Sequence, residues 1–129
     1  MQEKKLAFIK NDLFSLLNNI TAESNANWGK MNAQQMVEHV TAFFNVSTEK
    51  IIFGLVTPEE HLPKFKEFLL SDKQFRENTK APLNVIGEET IPLQYKSYEE
   101  AVSKLHEAVS YFETFFKADP EKKTVHPVF

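Results

Sequence analysis

Leu6, Ile9, Leu13, Leu16, Leu17 and Ile20 recur three and four residues apart, which draws one apolar stripe along a helix. Lys4, Lys5, Lys10, Asn11 and Asn18 fall on the other faces. The stretch NNITAESNANWGK that follows is dense in Asn, Ser and Thr and reads as a loop, in which Gly29 supplies backbone angles other residues avoid. Trp28 is expected to fold back on the helices as a lid, because a large ring is costly to leave in water.

A second helix is predicted from Asn32, a favoured N-cap, with Gln35 three residues on to complete a capping box. Met36, Val40, Phe43, Phe44 and Ser47 share its apolar face, Ile51 extends it, and Gly54 and Pro58 end it. A shorter helix is predicted from about Pro58 to Leu70, with Phe65, Phe68 and Leu69 on its buried side; Pro63 requires a break or a late start. Residues 71–96 lose the period. They read as a long surface excursion, with a short extended pair expected around residues 84–86 and 90–93. The last helix opens at Ser97, with Glu100 at the capping-box position. It carries Tyr98, Ala101, Val102, Leu105, Val109, Phe112 and Phe116 inward, and stops near Ala118 before Pro120. EKKTVHPVF is a tail. There is no repeat and no domain boundary, so residues 1–129 form one domain.

Composition narrows the chemistry. The chain is 42% hydrophobic and 26% charged, with 12 phenylalanines, which suits a packed globular domain with an aromatic core. Its net charge of −3 and the lack of a basic stripe argue against nucleic acid as a partner, since neutralising several phosphates takes several grouped cations. Cysteine is absent, which removes disulfides and thiolate ligands. The longest apolar run, near IIFGLV, is far too short to span a membrane, and no apolar leader opens the chain; a cytoplasmic location is expected. Without a leader, the Asn-x-Ser/Thr matches at Asn19 and Asn45 carry no weight.

Only three glycines are present, and they are far apart, so neither a phosphate-cradling loop nor a dinucleotide fingerprint can be built. A nucleophile elbow and a His-x-x-x-His pair are missing too. That leaves the histidines. On the wheel His39 lies at the edge of the predicted buried stripe, about 100° from its centre. It is either a metal ligand, with Gln35 one turn back as the group that hydrogen-bonds the ring, or a boundary histidine paired with a neighbour or water. His106 has a similar offset on the last helix, with Glu113 two turns on. It would be an alternative ligand only if its helix edge faced that of His39. His61 and His126 are expected in solvent. The phenylalanines either fill the core or line an apolar cavity.

WGKMNAQQMVEHV, with ENTKAP and the terminal TVHPVF, resembles a branch of the DinB-like superfamily. Trp28, Met31, Gln34, Gln35, Met36 and His39 carry the most specific part of the likeness. The resemblance implies an all-α, up-and-down helical bundle: three main helices, a short helix and a long irregular loop, with the fourth bundle helix missing or incomplete. It also implies metal-dependent chemistry, in some members a thiol-cofactor transferase. The divalent ion, nickel or zinc, would take His39 as one ligand, and the usual histidine pair on a final helix has no counterpart here, which leaves the site incomplete. A bundle short of one helix is expected to form a homodimer, to cover its groove with residues 71–96 or 125–129, or to serve as a non-catalytic module that binds a helix or a small apolar ligand.

Overall fold

The computed structural model describes residues 3–27, 29–79 and 92–129. Among them the regular structure is helical, as the periodicity predicts: α1 (Glu3–Ala7), a π turn (Phe8–Asp12), α2 (Leu13–Leu17), α3 (Ala33–Ser47), a 3-10 turn (Glu59–His61), α4 (Leu62–Leu70) and α5 (Tyr98–Ala118). One isolated bridge joins Asn25 to Asn32, and no strand forms among the described residues. The Trp28 lid and most of the extended pair expected at 84–86 and 90–93 lie outside the described residues; Pro92 and Leu93 are irregular.

The first helix is continuous in course but broken in pattern. The π turn adds a residue, so the face that follows rotates relative to a plain α-helix. Phe14 and Leu17 become the buried pair, while Leu16 and Ile20, both placed on the predicted stripe, are exposed.

α3 begins as predicted. The Asn32 side chain accepts the Gln35 N–H at 2.9 Å, and the Gln35 amide oxygen accepts the Asn32 N–H at 2.9 Å. The N–H groups of Ala33 and Gln34 donate to Ser24 and Ala22 carbonyls in the preceding loop. All four donors that a helix start leaves over are therefore paired. Gly29 turns that loop with φ +93°, the left-handed region glycine enters without a Cβ penalty.

The end of α3 differs from expectation. The helix stops at Ser47 instead of running on through Ile51. Lys50 N–H donates to Asn45 O at 2.9 Å and Glu49 N–H to Val46 O at 3.1 Å, with Glu49 at φ 64°. This is a Schellman turn with a glutamate where glycine usually sits. Lys122 pairs with Glu49 at 3.8 Å, and the Lys50 ammonium sits 3.9 Å over the Tyr111 ring, so the turn is held from two sides. Ile51, Ile52, Phe53 and Leu55 then run along the surface, Ile52 being 84% exposed.

The core joins α2, α3 and α5. Phe14, Leu17, Val37, Ala101, Leu105 and Val109 form its centre, with Val37 and Leu105 at 0% and 1% exposure. Phe44 meets Phe112 edge-on, ring centroids 5.2 Å apart. The axis of burial on α3 is thus Val37, Thr41 and Phe44, about one residue round from the predicted Met36–Val40–Phe43 face. Val46 is nevertheless 2% exposed, and nine residues at 100° each put it half a turn away from Val37. α3 is buried on two opposite sides.

α5 starts and ends where predicted, but the expected capping box is only half formed. Ser97 caps it by accepting the Glu100 N–H at 3.1 Å, and the Glu100 carboxylate takes the Lys96 N–H. Tyr98 donates its hydroxyl to Leu17 O at 2.7 Å, tying α5 to the end of α2. α4 starts at Leu62 with Pro63 in its first turn, the late start that proline requires. None of its residues is buried.

Candidate functional site

The second buried side of α3 is where the sequence's most conspicuous histidine lies. His39 is half-buried, its ring 4.9 Å from that of Phe43. Burial pushes its imidazole below the ordinary 6.5, so the ring is neutral at pH 7 and has a lone pair to offer. Phe43 also touches His126, centroids 5.3 Å apart, and His126 touches Phe129 at the same distance. The end of the tail, from His126, is therefore covered, and His126 corrects the expectation for it. It is half-buried, and burial lowers its pKa from 6.5 as well.

Residues 125–129 are seated by directed hydrogen bonds. Pro127 is fully buried, and its carbonyl accepts Val56 N–H at 2.7 Å and Thr57 N–H at 3.3 Å. Thr57 donates its hydroxyl to Val128 O at 2.7 Å. Val128 N–H and Phe129 N–H both donate to His126 Nδ1, at 3.0 and 3.2 Å. A side chain that accepts from the second and third N–H after it, with proline between, repeats the bonding of a helix N-cap. Covering of an α3 face by residues 125–129 is one of the arrangements expected for a bundle short of a helix.

The other candidates go elsewhere. His106 is exposed and stacks on Phe14 of α2, centroids 4.2 Å apart. Glu113 is bound by Lys10 at 2.8 Å and Lys117 at 3.1 Å, and these hydrogen bonds hold its carboxyl below the usual 4.5. The Gln35 oxygen is committed to the helix cap, and no hydrogen bond joins Gln35 to His39 among the described residues. His61 is exposed beside Glu60. Among the described residues, no three His, Asp or Glu side chains are grouped so as to hold a metal ion. A lone imidazole does not fit a resident divalent ion, which in catalytic zinc sites takes three protein ligands.

Sequence reasoning passed over a polar clamp beside His39. Buried Gln34 donates its amide to Tyr95 O at 3.1 Å and to the Glu38 carboxylate at 3.2 Å, and Glu38 accepts Gln94 N–H at 2.6 Å. The pair fixes residues 94–95 against α3 just before α5 begins. Gln34 and Glu38 stand one turn apart, a spacing the sequence displays. Their partners lie some 60 residues away, and nothing local announces them.

A separate groove of about 700 Å³ opens between α1, α4 and α5. Leu6, Leu69, Leu70, Phe112 and Phe116 make it apolar, and Lys5, Lys117 and Lys122 stand along it. Leu69 and Leu70 are 45% and 67% exposed. No helix among the described residues is long and apolar enough to cross a membrane. Comparison of the chain with protein-family models, with curated proteins and with solved structures finds no match.

Proposed function

We propose that the protein is a non-catalytic helical binding module that takes an anionic amphiphile, a long-chain carboxylate, in the groove between α1, α4 and α5. The groove itself is the observation that carries this reading. Leucines that a closed bundle would bury are open to water on α4, opposite Phe112 and Phe116 of α5. Burying an apolar chain against them gains roughly 25 cal/mol for each Å² removed from water. Along the groove Lys117 pairs with Glu113, which Lys10 also binds, and Lys122 pairs with Glu49, so Lys5 is the lining cation with no ion pair among the described residues. The local charge suits a carboxylate head. A dansyl-labelled fatty acid titrated into the protein tests it: saturable binding at micromolar concentration is expected, weakened tenfold or more by Leu70→Asp and several-fold by Lys5→Glu. Binding that ignores both substitutions overturns the reading. If a second copy fills the groove instead, sedimentation at rising protein concentration shows a homodimer and the fatty acid finds no site.

A second reading keeps the DinB-like resemblance. In it His39 is one ligand of a divalent ion, nickel or zinc, whose other donors are not among the groups the described residues bring together, and the protein is a metal-dependent transferase or a degenerate relative of one. The half-buried, neutral imidazole of His39 favours it. Stoichiometric metal by mass spectrometry, lost in His39→Ala, is the expected result; a metal content unchanged by that substitution rules it out.

A further inference from the structure

Irregular backbone rarely runs through a protein interior, because its N–H and C=O groups need partners there. Residues 126–129 are seated in this way around the fully buried Pro127, while Val125 is exposed. Two outward-directed carbonyls, of Pro127 and Val128, are taken by Val56 and Thr57. The N–H groups of Val128 and Phe129 share one acceptor, His126 Nδ1. An imidazole can accept at Nδ1 only when that nitrogen is bare and the proton is on Nε2; the imidazolium has donors at both nitrogens and no acceptor.

We propose that His126 is a proton-operated latch: the neutral ring holds residues 125–129 between α3, residues 56–57 and α4, and protonation of Nδ1 releases them and α4 with them. Protonation sets an N–H against two N–H groups, which costs both hydrogen bonds and adds repulsion. α4 depends on the latch because its inward face is aromatic and converges on Phe129. Phe65 meets Phe129 at 5.8 Å, Phe75 meets it at 6.3 Å, and Phe68 packs at a tilt against Phe75 at 5.0 Å. With no buried residue of its own, α4 has little else to hold it.

The surroundings leave the proton in control. From α3 the ring is faced by Phe43, whose ring also meets His39; His39 itself makes no ring contact with His126, and Glu38 is engaged by Gln34 and Gln94. Residues 56–57 contribute Val56 and Thr57, neither of which titrates; beyond them Glu60 and His61 pair with each other. From α4 comes Phe65, by way of Phe129, with Lys64, Lys66 and Glu67 on exposed faces. Within the tail, Lys122 is paired with Glu49, and Lys123 is exposed. Burial alone lowers the His126 pKa; no charge contributes. Since the seated value lies below the free value of 6.5, seating is complete above pH 6.5 and is lost as pH falls through the seated value.

Amide hydrogen exchange on the whole chain, corrected for the intrinsic pH dependence, tests the latch between pH 7.5 and 5.0. Val56 and Thr57 are expected to lose at least tenfold in protection at the lower pH, and Val37 and Leu105 to keep theirs. His126→Asn, a side chain that accepts the same N–H groups and does not titrate, keeps protection at pH 5.0. His126→Ala loses it at both pH values, and His39→Gln leaves the transition in place. The latch is overturned if wild-type protection does not change with pH, if His126→Asn titrates like the wild type, if His126→Ala stays protected at pH 7.5, or if His39→Gln abolishes the transition.

Discussion

On one side of α3, Val37, Thr41 and Phe44 meet α2 and α5; on the other, His39 and Phe43 meet a stretch of chain with no regular structure. The first side is apolar and closed, with Phe14, Phe44 and Phe112 among its aliphatic residues. The Thr41 hydroxyl is spent within the helix on Val37 O at 2.8 Å, and the Tyr98 hydroxyl, whose pKa burial raises above 10.0, ties α5 to Leu17 O of α2, so no group there changes charge near neutral pH. The second side is aromatic and imidazole, and it is held in place by hydrogen bonds from Val56 and Thr57 to the tail. Burial of apolar area is indifferent to direction and to pH; hydrogen bonds and imidazoles are neither. The same helix thus carries the part of the molecule that makes it fold and the part that conditions can change.

Removing side chains separates the two sides. The largest effect is expected from Leu105→Ala, a loss of about 2–5 kcal/mol, because the α3–α5 seam has no slack to fill the void. Urea unfolding should show every probe moving together. Thr57→Val takes the hydroxyl from Val128 O and should cost about 1 kcal/mol, confined to the tail side. Nuclear magnetic resonance would then show shifts in α4 and the tail and leave α5 unchanged; equal shifts in α5 would erase the distinction between the sides.

Smaller effects sharpen it. Glu49→Gly relieves a left-handed residue, at ~1–2 kcal/mol of strain, against the added freedom of glycine in the unfolded chain. A net gain of about 0.5 kcal/mol is expected, read as a higher urea midpoint with an unchanged slope. The smallest effect belongs to Glu113. Its carboxyl is held below 4.5 by Lys10 and Lys117, so its contribution is full above pH 4.5 and disappears as pH falls through the lower folded value. Glu113→Gln should flatten the stability profile in that acid range and leave alone the part of the profile set by His39 and His126, whose half-buried rings titrate below 6.5.

The legible parts of the fold were those written in neighbouring residues. The Asn32–Gln35 box, the Ser97 cap, the late start at Pro63 and the apolar period of α5 all involve partners within four positions. The π turn had no such marker, and with it went the choice of Phe14 over Leu16. The α3 terminus was misplaced because a glutamate occupies the glycine position of a Schellman turn. His39 was legible as a boundary residue, but its surroundings were not. They are made by residues 56–57 and 125–129, chain segments with no periodicity to read. The single-stripe view of α3 failed for the same reason: a helix covered by irregular chain shows no second amphipathic partner in the sequence.

From Ile51 to Val56 six uncharged residues follow one another, four of them large apolar side chains exposed on the surface. Such a strip, free of proline and charge, is a place where molecules adhere when crowded. Shelf life in concentrated stocks will be set there, well before the helices themselves give way, and the lysine at position 50 is the nearest gatekeeper the chain provides.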